Sequence, residues 1–167
     1  MKNRIPTLVA IICALVLLAG CGGKDSDLTA YKGTTYPPTT RVEYIYQASQ
    51  AAPVCRVFAE LLVTLPAGMS GEMMREQLGT EAKKRGADMV LIGQSRQMED
   101  DEGVSFAYYG PQKEYLCNEQ WCGWKFGYDA WEGQGDFVNI GFKEWGNKNV
   151  SFEFPVMLQA AFLHCGK

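Results

Sequence analysis

The chain reads as an α+β domain in which one helix packs on a mostly antiparallel sheet, with an aromatic-rich hairpin insert. Three observations lead there. Residues 71–85 place Met74, Leu78 and Ala82 at four-residue spacing between a capping serine and a stopping glycine. Alternating or continuous apolar runs rich in Val, Ile, Tyr and Phe flank that helix on both sides. Between residues 115 and 128, two cysteines and five aromatic residues surround a turn-like centre.

The domain is preceded by a leader. Lys2 and Arg4 form a positive start, and Ile5 to Ala19 is nearly all apolar. As a helix that run covers about 22 Å, short of the roughly 30 Å of bilayer hydrocarbon. A charged front, a short apolar middle and small residues at the end read as a signal peptide over residues 1–20. The closing Leu18-Ala19-Gly20-Cys21 resembles the lipobox of bacterial lipoproteins. That resemblance implies cleavage before Cys21 and acylation of its sulfur, so that membrane attachment runs through the N-terminal lipid. One acyl chain holds a protein only marginally, whereas the several chains implied by a lipobox hold it durably. Gly22, not aspartate, follows the cysteine, which by resemblance to enterobacterial sorting implies the outer membrane, facing the periplasm. Residues 21–35 are polar, carry Gly22, Gly23 and Gly33, and read as a flexible tether. Residues 36–167 then form a single domain.

Removing the leader leaves about 147 residues, one domain's worth and enough for a real core. Lys2 and Arg4 leave with it, so the net charge moves from −3 to about −5. With no basic patch, nucleic acid is excluded as a partner.

In order, Tyr36-Pro37-Pro38-Thr39 gives an extended approach, and Val42 to Tyr46 alternates as a first strand. Cys55 to Thr64 is apolar enough for a central strand, closed by Pro66 and Gly68. Ser70 caps the helix, Glu72 sits in its first turn, and Lys83, Lys84 and Arg85 fill its last turn before Gly86. Ala87 to Gly93 is a buried strand, and strand–helix–strand with short joints predicts that it runs parallel to the second strand. Asp136 to Trp145 reads as a strand, Gly146 to Asn149 as a turn, and Val150 to Cys165 as a long strand bent at Pro155.

Tyr36-Pro37-Pro38-Thr39-Thr40-Arg41-Val42-Glu43, then a strand, then a helix ending Ala82-Lys83-Lys84-Arg85-Gly86-Ala87-Asp88, then Met89-Val90-Leu91-Ile92: this order resembles a group of small bacterial envelope lipoproteins. The group has a β-β-α-β core and includes the Rcs stress-sensor lipoprotein. Over residues 36–97 the resemblance implies a protein that binds or senses in the envelope rather than catalyses.

Cys55, Cys117, Cys122 and Cys165 remain in the mature chain, an even number suited to an oxidising compartment. A four-residue hairpin loop would set Cys117 opposite Cys122, predicting a cross-hairpin disulfide and leaving Cys55 for Cys165. The alternative is a metal- or redox-responsive site built from Cys117, Cys122, Cys165 and His164. Its C-x4-C spacing and the opposed directions of residues 164 and 165 in a strand argue against it. No nucleophile elbow, phosphate loop or paired-carboxylate frame is present, so no enzyme activity and no cofactor is expected. Trp124, Phe126 and Tyr128 alternate on one face and read as a small second core. Trp121 in the loop and Trp131 on the opposite face read instead as a stacking surface for an envelope protein or a glycan.

Overall fold

The computed structural model describes residues 31–117 and 123–166. Among these residues seven strands form one sheet: β1 (Glu43–Ile45), β2 (Cys55–Leu65), β3 (Met89–Gln97), β4 (Ser105–Gly110), β5 (Tyr115–Leu116), β6 (Phe137–Val138) and β7 (Val156–Cys165). The helices are α1 (Gly71–Arg85) and the short α2 (Tyr128–Glu132). The strand order is β1-β3-β7-β2-β4, with β6 beside β1 against β3 and β5 beside β4 against β2. The class is therefore α+β, with one major helix on a largely antiparallel sheet.

β7 lies in the middle because its sequence suits nowhere else. Val156 to Leu163 is apolar apart from Gln159, and every one of those eight residues is buried. Each Val, Met, Leu or Phe among them taken out of water stabilises the fold by about 1.5–3 kcal/mol, provided that both faces of the strand are covered. β7 runs antiparallel to β2 on one side and to β3 on the other. β2 and β3 therefore share one direction, as the strand–helix–strand reading expects, with β7 inserted between them.

α1 covers the first face. The Ser70 hydroxyl accepts from the Met73 amide at 3.2 Å, and the helix ends at Gly86 in the left-handed conformation, φ 82°. Its Met74, Leu78 and Ala82 are buried in one cluster with Phe58, Val90, Leu158 and Phe162. The second face is covered by the aromatic insert. Cys117 and Trp124 pack with Val57, Leu91 and Leu163, while Trp131 and Phe126 pack with Leu62 and Met157. Gly93 makes this possible: a Cβ there would lie 2.4 Å from the Trp124 ring, so only a bare backbone lets the indole approach the sheet.

The insert differs from the expected hairpin in its second arm. β5 is a strand, but it pairs with β2, and residues 123–127 carry no strand. Gly123 (φ 95°) and Gly127 (φ 60°) adopt backbone conformations that no strand continues through, and α2 starts at the second of them. The expected strand over 136–145 shrinks to β6; residues 141–146 turn back, with the Trp145 amide bonded to the Gly141 carbonyl at 2.9 Å. Pro155 ends the expected long strand early, and upstream of it only Ser151 bridges, to Ser70.

Before β1 the chain arrives along the C-terminal end of α1. Tyr31 lies under the Arg85 guanidinium, 4.8 Å from ring centroid to Cζ, and the Thr39 amide donates to the Lys83 carbonyl. Tyr36 stacks on His164 at 3.8 Å and donates its hydroxyl to Glu114, 2.7 and 2.8 Å from the two carboxylate oxygens. Burial and then the Glu114 hydrogen bond push the Tyr36 phenol from 10.0 to about 12. The folded state thus holds this proton more tightly than the unfolded state does. The resulting stability is complete below pH 10 and is lost as pH rises through about 12. Denaturant melts should show that loss, and Tyr36→Phe should be less stable by about 1 kcal/mol at pH 8 with a shallower decline above pH 10. The decline persists in the variant because Tyr31 and Tyr108 are raised as well.

Cys55 and Cys165 are partners in the β2–β7 register and are joined as a disulfide spanning 110 residues. Replacing both with serine should lower the unfolding free energy by about 4–5 kcal/mol in the loop-entropy account. Urea melts of the pair variant and of wild type with and without reductant measure it.

Candidate functional site

Of the residues singled out in the sequence, the structure brings Cys55, Cys117 and Cys165 into one apolar cluster and sets Trp131 apart from them. Cys21, Trp121 and Cys122 lie outside the described residues, and so does any pairing of Cys117 with Cys122. Cys117 is buried in the apolar cluster that also holds Cys55, with no bonded partner among the described residues, and burial pushes its pKa up. Cys165 is already bonded to Cys55. His164 stacks on Tyr36 and sets Nδ1 2.9 Å from Asp88, although its N–H is not aimed along that contact. Its neighbour Cys165 packs toward the cluster on the other face. Cys165 is therefore not a metal ligand while that disulfide stands. Among the described residues no group of three or more His, Cys, Asp or Glu side chains is placed to hold a metal.

Trp131 corrects a second expectation. It is 5% exposed, not on an open face, because residues 128–132 are helical where a continuing strand was expected. A helical turn points residue 131 inward, and its ring packs on Leu62, Met98 and Met157. Arg96 fastens it, with its guanidinium 5.7 Å from the Trp131 ring centroid and 2.9 Å from the Trp131 carbonyl. Trp131 is core, and it presents no contact surface.

The open aromatic surface lies elsewhere, in a groove between β1, the first half of α1 and the turn over residues 141–146. Two adjoining hollows of about 400 and 320 Å³ share Arg41, Val42, Tyr44 and Arg75. Tyr44 and Tyr46, two apart along an extended segment, line the smaller hollow with Phe142 and Trp145. The Tyr44 hydroxyl donates to the Arg75 carbonyl at 2.9 Å, and the Arg75 guanidinium lies 5.1 Å from the Tyr44 ring centroid. Trp145 is tilted against Tyr44 at 5.4 Å, and Phe142 stands edge-on to Tyr46 at 6.2 Å. The turn is docked on the start of α1: the Gly146 amide donates to the Gly71 carbonyl at 3.0 Å. A Cβ on Gly71 would lie 1.8 Å from the Glu144 carbonyl oxygen, so the docking requires glycine there.

Phe142 is 83% exposed, whereas Trp145 beside it is 7% exposed. Among the described residues neither Arg41 nor Arg75 is within ion-pair distance of a carboxylate. Burial raises the Tyr44 and Tyr46 phenols, which stay protonated and able to donate. The groove brings together flat rings, two guanidiniums unpaired with any carboxylate of the described residues, and the Tyr46 hydroxyl, equipment suited to holding a ligand. Sequence reasoning missed it because its residues come from three distant stretches. The one local signal was the Val42, Tyr44, Tyr46 alternation.

The chain matches no family model, no curated protein and no solved structure.

The two tryptophan readings separate by mutation. Trp131→Ala should cost about 3–5 kcal/mol of stability, whereas Phe142→Ala should stay within about 0.5 kcal/mol of wild type. Thermal melts of the two variants side by side give the comparison.

Proposed function

We propose that the protein is a lipoprotein of the bacterial cell envelope, anchored through acylated Cys21 in the outer membrane and facing the periplasm, with a non-catalytic binding or sensing role. The observation that carries this is the order at the start of the chain: Lys2 and Arg4, a short apolar run, then Leu18-Ala19-Gly20-Cys21. The Cys55–Cys165 disulfide supports it, since such bonds persist in oxidising compartments. Nine residues separate Cys21 from Tyr31, a reach of at most about 35 Å from the lipid. The chain enters the domain at the C-terminal end of α1, where Tyr31 and Thr39 pack, and the groove runs along α1 from its first turn to Lys83. The partner in this reading is an envelope protein or a glycan, and the acidic net charge weighs against nucleic acid.

Cys21→Ala tests the anchor. In cells fed a clickable palmitate, wild type should take up label and sediment with membranes. The variant should retain its leader and carry no label. Equal labelling of the two would end the lipoprotein reading.

A further inference from the structure

We infer that the groove between β1, α1 and the 141–146 turn binds a carboxylate-bearing saccharide, with a sugar ring stacked on Phe142 and the carboxylate between Arg41 and Arg75. The inference deepens the binding role proposed above, and rests on it only for where the ligand is met.

Phe142 carries the first part. A phenyl ring that is 83% exposed, edge-on to Tyr46, contributes nothing to either core, yet the turn that holds it is fastened to α1 through Gly71 and Gly146. The backbone is fixed and the ring is presented. A flat apolar face of this kind matches the C–H face of a pyranose.

Charge carries the second part. In the aromatic hollow two guanidiniums, Arg41 and Arg75, face one carboxylate, Glu43, in a chain whose net charge is −3. Arginine's planar fork pairs with carboxylates in bidentate fashion, and neither fork is engaged by an acid of the described residues. The adjoining hollow adds Lys83 together with Glu72 and Glu76. Those carboxylates only accept hydrogen bonds, so they suit a ligand rich in hydroxyl donors next to its negative group. A sugar acid has both.

An acidic peptide fits less well: its side chains bring no hydroxyl donors to Glu72 and Glu76, and β1, at three residues, is too short an edge to pair with an extended strand.

The test is calorimetric titration of the full-length protein in detergent with tetragalacturonate, with maltotetraose and tetraglutamate as comparison probes. Tetragalacturonate should bind with a Kd below about 1 mM, weaken as salt is raised, and outcompete both comparison probes at least about ten-fold. Arg41→Gln, at an exposed residue outside every helix and strand, and Phe142→Ala should each weaken binding at least about ten-fold with unchanged melting temperatures. Absence of binding, equal binding of maltotetraose or tetraglutamate, or undiminished binding in both variants would overturn the assignment. Palmitate labelling of Cys21 reads the anchor independently of the groove, so failure of one reading leaves the other standing.

Discussion

The fold depends on burying both faces of β7. Val156, Leu158, Ala160 and Phe162 look to one side, and Met157, Ala161 and Leu163 to the other. A strand of that composition cannot tolerate water on either face, so the sheet it anchors needs two covering layers. α1 is one. Residues 115–117 and 123–131 are the other, and their density of aromatic residues follows from that duty. With little regular structure described there, this layer obtains its buried area from large rings.

The parts of this plan that were legible in the sequence are those in which local rules and tertiary context agree. α1 has its cap, its four-residue apolar spacing, its charge arrangement and its terminal glycine, and it forms over the residues those signals mark. β2 has too many apolar residues to lie anywhere but the interior. The shared direction of β2 and β3 was also legible, because short joints around a helix permit little else. That β7 would come between them was not, since nothing local says which of several apolar strands pairs with which.

The second layer shows the opposite case. Alternation of Trp124, Phe126 and Tyr128 resembles a strand, and the spacing of Trp124, Tyr128 and Trp131 resembles a helix. Two glycines with positive φ decide between them by breaking the segment into a turn and then a helical turn. Phases measured across such a break carry no information about which way Trp131 points. The groove was hidden for a different reason. Arg41, Arg75 and Phe142 share no sequence pattern; a close approach at Gly71 brings the last of them to the other two.

The central strand of the sheet is also the last of the seven along the chain. Until β7 docks, β2 and β3 have bare inner edges, because the strand that joins them follows both along the chain. Most of the sheet's pairing spans long sequence separations, the kind of contact that forms late and slowly. Closure of the sheet is therefore a single late event, and losing β7 would split the sheet between β2 and β3 rather than trim an edge.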